Sequence, residues 1–363
     1  MKKIRVIALY LPQFHPTPEN DEWWGKGFTE WTCMGKAKPL YKGHYQPRVP
    51  ADLGYYDLRV PETREMQAQY AREAGIEGFC YWHYWFGNGR RLLERPFDEV
   101  LKSGKPDYPF MLGWANHSWY AKLWDKDTKK DRLLIEQTYP GEQDYVAHFD
   151  YVVKAFKDER YIKDGYKPLF LIFRPFDLPK DFIPCWQRLA RENGLEDGIS
   201  FIGSCRYNED AENLLKNGYD YVYTDRLGEY YQKNFSVGKK VFQHLKSVIT
   251  RRPLLCFDYS DYVKSLVRED EDCKVEFIPS VIPNWDHSPR SGKKGLILNN
   301  STPAYFKEYL ERVFECLRNK PEDKRFVFIK SWNEWGEGNY MEPDLKFGKG
   351  YLDVLRTCIE NYK

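Results

Sequence analysis

Two glutamates near the C-terminus, Glu334 and Glu337, have the spacing and surroundings of a pair of catalytic carboxyls. In an extended strand their side chains would point to opposite faces. Gly336 and Gly338 permit a turn instead, and in a turn residues three apart lie roughly 5–6 Å apart at Cβ. Two carboxyls this close, flanked by tryptophans, suit acid/base chemistry on a sugar. The plainer alternative is a pair of solvated glutamates in a loop.

Further polar and aromatic residues follow other apolar runs of the chain, so they would meet at one opening if those runs are parallel strands. The predicted substrate-binding residues are Tyr10, Glu30, Trp31, Tyr81, His83, Trp114, Asn116, His117, Trp124, Arg174, Trp285, Asp286, Asn333 and Tyr340. Flat rings stack on the apolar faces of sugars, and amides and carboxylates bind vicinal hydroxyls. This set therefore predicts the lining of a carbohydrate site.

Several of these residues have structural alternatives. Residues 81–85 would alternate between core and helix-facing layers, with His83 a core histidine. Arg174 would be the structural partner of a barrel carboxylate, and Asp286 would cap a turn.

A metal site is a less favoured alternative. It would be built from His83, His117, Asp286 and Glu334, but the chain contains no local ligand pair such as H-E-x-x-H. We therefore predict no metal and no cofactor.

The elements that must position these residues are short apolar runs alternating with amphipathic stretches. The candidate strands are Arg5–Leu11, Gly78–Trp82, Phe110–Trp114, Pro168–Phe173, Ser200–Ser204, Tyr219–Thr224, Val275–Ile282 and Arg325–Ile329. Pro61 and Pro303 stand at predicted helix starts, and Gly75 and Gly194 at predicted helix ends. Eight strands, each followed by a helix, predict an α/β fold, the (β/α)8 TIM barrel. A doubly wound sheet with about as many strands fits the pattern as well.

We predict one catalytic domain over residues 1–363, because no linker, repeat or low-complexity tract divides the chain. Two connections exceed ordinary loops: the long loop 12–60 and the insertion 226–260, the latter with a predicted short helix Lys240–Ile249. In a barrel both would rise from the C-terminal ends of strands, which form the catalytic face.

Composition excludes several classes of function. The net charge is +2 with acids and bases interspersed, so neither nucleic acid nor an anionic membrane is an expected partner. No run approaches 18 apolar residues, which excludes a membrane span. Arg5 and Pro12 interrupt the N-terminal apolar run, so we expect no signal peptide and a cytoplasmic protein. Eight scattered cysteines suit a reducing compartment, and the oligomeric state stays open.

Five motifs in one order resemble the WbsX-like family over essentially the whole chain. They are Tyr10-Leu-Pro-Gln-Phe-His15, Gly27-Phe-Thr-Glu-Trp31, Trp114-Ala-Asn116, Trp285-Asp-x-x-Pro-Arg290 and Trp332-Asn-Glu-Trp-x-Glu-Gly-Asn-Tyr-x-Glu-Pro-Asp344. Members of that family are described as glycosyltransferases and occur in bacterial surface-polysaccharide loci. The family is similar in turn to glycoside hydrolase family 99, the endo-α-mannosidases and mannanases, which has a (β/α)8 fold.

The resemblance implies roles for the two glutamates, since Glu334 and Glu337 match a Glu-x-x-Glu pair of the hydrolases. It implies retention without a carboxylate nucleophile. The first glutamate acts as base on the 2-hydroxyl, which attacks the anomeric carbon and forms a 1,2-anhydro sugar. The second protonates the leaving oxygen and then activates water. These roles require a raised pKa at Glu337 and an ionised Glu334.

One position departs from the family: His117 stands where many relatives have glutamate, so the substrate specificity is expected to differ. We predict a glycoside hydrolase acting on α-linked, manno-configured oligo- or polysaccharides. The first alternative is a glycosyltransferase of surface-polysaccharide biosynthesis (O-antigen or capsule). The second is a non-catalytic carbohydrate-binding barrel.

Overall fold

The structure, a computed structural model, describes residues 4–121, 132–205, 208–228, 230, 244–245 and 247–362. Eight parallel strands form its centre: β1 Arg5–Tyr10, β2 Gly78–His83, β3 Phe110–Trp114, β4 Lys167–Ile172, β5 Ser200–Cys205, β6 Tyr221–Thr224, β7 Phe277–Val281 and β8 Phe326–Ile329. Each pairs with the next along the chain, and β8 pairs with β1, Ala8 lying opposite Ile329. The sheet is closed, which confirms the TIM barrel, since a doubly wound sheet would leave two free edges.

Eight helices alternate with the strands: α1 Pro61–Glu73, α2 Arg95–Ser103, α3 Glu142–Phe156, α4 Phe182–Glu192, α5 Asn208–Lys216, α6 Tyr259–Leu266, α7 Pro303–Leu317 and α8 Gly350–Asn361. Pro61 and Pro303 are the first residues of α1 and α7. There proline's fixed φ suits the helix and its missing N–H leaves no bond unmade. Gly75 (φ +82°) and Gly194 (φ +84°) follow α1 and α4 in the left-handed region, which glycine adopts without strain.

The remaining short elements extend mainly from the C-terminal ends of the strands. The helical ones are Pro18–Trp24, Glu30–Lys36, Pro175–Asp177, Glu269–Asp272, Ser288–Ser291, Gly292–Lys294, Glu322–Lys324 and Trp335–Glu337. The short strands are Trp119–Ala121, Arg132–Ile135, Lys163–Asp164, Cys256–Asp258, Trp285–Asp286, Ile297–Asn299, Asn333–Glu334 and Asn339–Tyr340. The predicted helix Lys240–Ile249 lies largely outside the described residues, although 244–245 and 247–250 are helical.

The barrel strands are buried on both faces, one against the helices and one against the barrel interior. All residues of β3, β5, β6, β7 and β8 are buried. This explains why the strands are continuous apolar runs with no polar alternation. Across the described ranges, no helix combines the length and hydropathy that crossing a bilayer requires.

Candidate active site

A cavity of ≈ 1230 Å³ opens at the C-terminal ends of the barrel strands. Its aromatic lining consists of Trp24, Phe28, Trp82, Tyr84, Trp119, Tyr120, Tyr139, Phe173, Tyr223 and Trp285. Glu334 and Glu337 both line it. The volume exceeds the roughly 300–1,000 Å³ of most small-molecule pockets. The cavity therefore has room for an extended ligand with several ring-sized units.

A short hairpin after β8 turns both carboxyls toward the cavity. Asn333–Glu334 pairs antiparallel with Asn339–Tyr340, and a 3-10 turn over Trp335–Glu337 joins them. Gly338 leaves this turn in the left-handed conformation (φ +56°). Within residues 331–344 the side chains of Glu334 and Glu337 are partly exposed, at 18% and 16%, and every other residue is buried. Glu334 and Glu337 are therefore the side chains of this hairpin that solvent in the cavity can reach.

A buried carboxylate, Glu342, holds the hairpin from below. Its Oε2 accepts hydrogen bonds from Trp335 Nε1 (2.6 Å) and Tyr56 Oη (2.9 Å), and its Oε1 accepts one from Gln67 Nε2 (2.6 Å). The ring of Tyr340 stacks on Trp335 with 3.8 Å between centroids. Since burial raises the pKa of Glu342 to about 7, the three donors are what make a carboxyl tolerable at this depth.

One guanidinium contacts three carboxyls at the edge of the cavity. Arg290 Nη1 lies 2.6 Å from Glu337 Oε1 and 3.5 Å from Glu334 Oε1, and Nη2 donates to Glu30 Oε1 at 2.7 Å. The same Glu30 oxygen accepts a hydrogen bond from Gly336 N at 2.7 Å. Glu30 therefore fixes both the guanidinium and the turn between the two exposed glutamates.

The two glutamates, largely buried with only an edge open to the cavity, have opposite pKa shifts. Burial, and after it the charge of Glu337, raises the pKa of Glu334 to about 8. Burial also raises the pKa of Glu337, but Arg290 and His287 outweigh it and lower that pKa to about 2. These opposite shifts mean that the pair shares one proton at neutral pH, and the closer approach of Arg290 to Glu337 favours that proton on Glu334. The resemblance predicted the opposite arrangement, with the proton on Glu337 and Glu334 ionised. The difference arises because Arg290 lies closer to Glu337 than to Glu334.

Two further groups on the cavity wall pair with acids. Lys330 Nζ lies 2.6 Å from Asp225 Oδ2 and 5.5 Å from the centre of the Trp285 ring. His287 Nε2 lies 3.4 Å from Glu337 Oε1, and its Nδ1 lies 2.7 Å from Ser291 Oγ. When the Ser291 hydroxyl donates to Nδ1, the imidazole proton lies on Nε2, from which His287 can donate to Glu337.

Seven predicted residues line the cavity: Glu30, Asn116, His117, Arg174, Trp285, Glu334 and Glu337. Asn116 has no exposed surface, and its amide is occupied by the Tyr139 hydroxyl (2.8 Å) and the Arg174 backbone. Arg174 is exposed and pairs with Asp177 at 3.4 Å. The guanidinium therefore lies at the rim of the cavity, and its partner belongs to the short 3-10 helix Pro175–Asp177 and not to a barrel strand.

Tyr10, Tyr81, His83 and Trp114 are buried and do not line the cavity, which corrects their predicted placement. Successive side chains on a strand point to opposite faces, and these four side chains lie on the face that does not open to the cavity. Tyr10 Oη donates to Gln67 of α1, and His83 Nε2 lies 2.7 Å from His148 Nε2 of α3. The adjacent side chains enter the mouth instead; these are Leu9, Leu11, Trp82, Tyr84 and Ala115.

The predicted placement in the cavity is also wrong for four residues of the surrounding loops, Trp31, Asp286, Asn333 and Tyr340. Each of these side chains is hydrogen-bonded to a neighbouring loop, and none lines the cavity. Trp31 Nε1 donates to Tyr56 O, and Asn333 bonds both backbone groups of Leu11. Tyr340 Oη donates to Asp344 at 2.6 Å.

Asp286 is 1% exposed and is bound by His44, Gln46 and the Ser288 N–H, so it anchors loop 12–60 and starts a turn. Trp124 lies outside the described residues. Among those the structure describes, no cluster of three or more His, Cys, Asp or Glu side chains is arranged to hold a metal.

Arg290, Lys330, Trp82, Tyr84 and Trp119 line the cavity but are not among the predicted substrate-binding residues. Arg290 is the last residue of the motif Trp285-Asp-x-x-Pro-Arg290. Its position shortly after a strand end, in the same motif as Trp285, is the sequence feature that could have indicated its place in the cavity. For Trp82 and Tyr84 no signal existed, because an apolar run buried on both faces does not reveal which alternate positions face the barrel interior.

The strand phase of β2 can be tested by neighbouring substitutions. We expect Trp82→Ala to raise the KM for a saccharide substrate by about tenfold through loss of a stacking surface. We expect Tyr81→Ala to leave KM unchanged and to lower the free energy of unfolding by about 3–5 kcal/mol, because Tyr81 is 2% exposed in the core. Steady-state kinetics and denaturant unfolding measure the two effects. The reverse pattern would refute the observed phase.

Comparison with known proteins places this site in context. A family model described as Glycosyltransferase WbsX matches residues 6–355. The chain is 36% identical over 366 residues to the uncharacterized protein WxcX of two strains of Xanthomonas campestris pv. campestris. That match covers 98% of this chain and 49% of WxcX, so the chain spans about half the length of the curated relatives it matches.

Solved structures of similar fold come from glycoside hydrolases. The GH99 endo-alpha-mannosidase from Bacteroides thetaiotaomicron superposes with a TM-score of 0.56 at 17% identity, over 99% of this chain and 97% of that one. A glycoside hydrolase-like protein superposes with a TM-score of 0.59 at 15% identity, over 99% and 94%. At these identities the likeness shows the shared fold.

Proposed function

The chain belongs to the WbsX glycosyltransferase family, whose function is glycan-related, and from that premise we propose that it hydrolyses α-linked, manno-configured glycans with Glu334 and Glu337 as an acid/base pair. The observation that carries the proposal is the exposed pair itself. Two carboxyls that share one proton, at the C-terminal mouth of a TIM barrel and beside aromatic rings, suit cleavage of a glycosidic bond.

We assign Glu334 as the base on the 2-hydroxyl and Glu337 as the acid on the leaving oxygen, in agreement with the resemblance. The unliganded pair has its proton on Glu334, so the proton must move on substrate binding. Arg290 controls this placement. Its Nη1 is 2.6 Å from Glu337 and 3.5 Å from Glu334, a difference of under 1 Å. A sugar that shifts the guanidinium toward Glu334 would ionise that group and leave the proton on Glu337.

Product release from defined saccharides tests the proposal. We expect aryl α-mannosides or α-linked manno-oligosaccharides to be cleaved with retained anomeric configuration, measured by NMR of the first product. Sugar nucleotides with the same acceptors should give no transfer product. Transfer without hydrolysis would make the chain a transferase. Saccharide binding in calorimetry with no turnover of any substrate would make it a binding barrel.

The family's description keeps glycosyltransfer as the second candidate. Two Asp-x-Asp triplets, a pattern that can bind a metal-diphosphate donor, occur in the chain. The triplet at 125–127 lies outside the described residues. In the triplet at 270–272, Asp272 is buried, is bound to Arg226 at 2.6 Å and does not line the cavity. The second triplet therefore gives the transferase no support.

The pH dependence should follow the shared proton. The singly protonated pair is the active form, and the raised pKa of Glu334 means that its proton is held up to about pH 8 and lost above it. We expect kcat/KM to fall above about pH 8. Removing the cation with Arg290→Met favours the protonated carboxyls, so this limb should move to higher pH.

Arg290→Lys is the matched control because it keeps the charge without the planar fork. We expect it to lower kcat while leaving the basic limb near its original pH. A limb unmoved in Arg290→Met would show that the guanidinium does not set the pKa of the pair.

A further inference from the structure

A strongly cationic segment lies within the insertion between β6 and α6. Residues 230–257 contain four lysines and two arginines and no acid, whereas the whole chain has 54 acids in 363 residues and a net charge of only +2. Without this segment the chain would be net negative. The near-neutral total therefore conceals a local basic run. The four lysines lie outside the described residues and count here by sequence alone.

Within the described part of this segment, aliphatic side chains are exposed on one side of a helical turn. Leu245, Val248 and Ile249 are 55%, 64% and 80% exposed, and residues 244–245 and 247–250 are helical. Their i, i+3, i+4 spacing places them on a common face. Leu254 adds a fourth exposed aliphatic residue at 36%. These four are a third of the twelve large apolar side chains that are exposed in the described part of the chain.

The basic residues that the structure describes lie at the end of this helical turn. Arg251 is exposed and has φ +54°, and Ser247 Oγ donates to Arg252 O at 2.6 Å, so the helical turn ends there. The Arg252 guanidinium lies 5.2 Å from the centre of the Tyr41 ring, which links the segment to loop 12–60. Exposed aliphatic and cationic groups therefore occur side by side.

The segment that carries this surface is continuous in sequence with residues that line the cavity. Leu227 and Gly228 precede the segment and line the cavity, and Leu255 near its C-terminal end does the same.

We propose that the exposed face formed by Leu245, Val248, Ile249 and Arg251, within the basic segment 230–257, docks onto an anionic lipid bilayer. Aliphatic groups beside lysine and arginine are the composition of interfacial membrane segments, which insert the former between headgroups and place the latter against lipid phosphates. Nucleic acid would use the charge but gives four exposed aliphatic side chains no partner. Docking would bring the cavity to membrane-attached glycans, and it does not depend on the hydrolase activity.

Vesicle flotation with the full chain tests the proposal. We expect binding to vesicles of 70% phosphatidylcholine and 30% phosphatidylglycerol, little binding to pure phosphatidylcholine, and weaker binding at 0.5 M NaCl. Val248→Ser with Ile249→Ser should reduce the bound fraction at least tenfold. Lys239→Gln, Lys240→Gln and Lys246→Gln together should do the same for the anionic vesicles.

Tyr166→Ser is the matched control. Tyr166 is 84% exposed and lies in the turn before β4, at the opposite end of the barrel. We expect the Tyr166→Ser variant to bind vesicles as well as the unaltered chain does, and all variants to have the same melting temperature. Absence of vesicle binding, or binding that ignores both sets of substitutions, would overturn the proposal. The proposal would also be overturned if Val248→Ser with Ile249→Ser abolished self-association of the chain but left vesicle binding intact. The exposed face would then bind a second copy of the chain.

Discussion

Glu334→Gln and Glu337→Gln are each expected to lower kcat/KM on a natural glycan by about 10²–10⁴-fold, the usual contribution of a positioned acid or base. Glutamine keeps the size of each side chain and removes its proton chemistry. The fold should survive, because both side chains are partly exposed and neither is among the buried groups that hold the hairpin. Glu212→Gln is the matched control, since Glu212 is 83% exposed on α5 and pairs only with Lys216 in the described structure.

Leaving-group dependence separates the two roles. A dinitrophenyl glycoside releases its phenolate without protonation, so loss of the acid should matter less there than loss of the base. We expect Glu337→Gln to recover a much larger share of its first-step rate on this substrate than Glu334→Gln does. Single-turnover release of dinitrophenol measures that step. If Glu334→Gln recovers the larger share of its first-step rate instead, Glu334 is the acid. The proton would then lie on the same glutamate in the unliganded site and during catalysis.

Gly336→Ala is expected to lower kcat by at least about 10²-fold with no change in the residues that perform chemistry. A Cβ at this position would lie 2.0 Å from Glu30 Oε1 and 2.9 Å from Arg290 Nε. Glu30 would have to give up its hydrogen bond to the Gly336 N–H, and Arg290 would move from both exposed glutamates. Displacing catalytic groups by about 1 Å is enough for a loss of this size.

Gly35→Ala is the matched control for this substitution. Gly35 lies in the short helix Glu30–Lys36, and a Cβ there would meet nothing within 4 Å. We expect its activity and melting temperature to match those of the unaltered chain. Kinetics together with thermal unfolding would distinguish a disturbed site from a disturbed fold. Full activity in Gly336→Ala would mean that Glu30 and the turn do not position the two carboxyls.

Much of the barrel was predictable because its signals are local. The eight apolar runs and their bounding prolines and glycines predicted all eight strands within a few residues. The hairpin was predictable for the same reason. Gly336 and Gly338 allow a tight turn, so two glutamates three apart could face one opening.

The sequence by itself therefore determined the alternation of eight strands with helices and the two closely spaced acids after β8, since each follows from residues near one another in the chain. Closure of the sheet into a barrel was settled by the pairing of β8 with β1. Only the tertiary structure decided which side chains of a strand enter the mouth, placing Trp82 and Tyr84 there and turning Tyr81 and His83 toward the helices. A strand buried on both faces has no polar alternation to mark its phase. The structure also set the opposite pKa shifts of the two acids, because these depend on Arg290 and Glu30, brought from distant parts of the chain to within hydrogen-bonding distance of the hairpin.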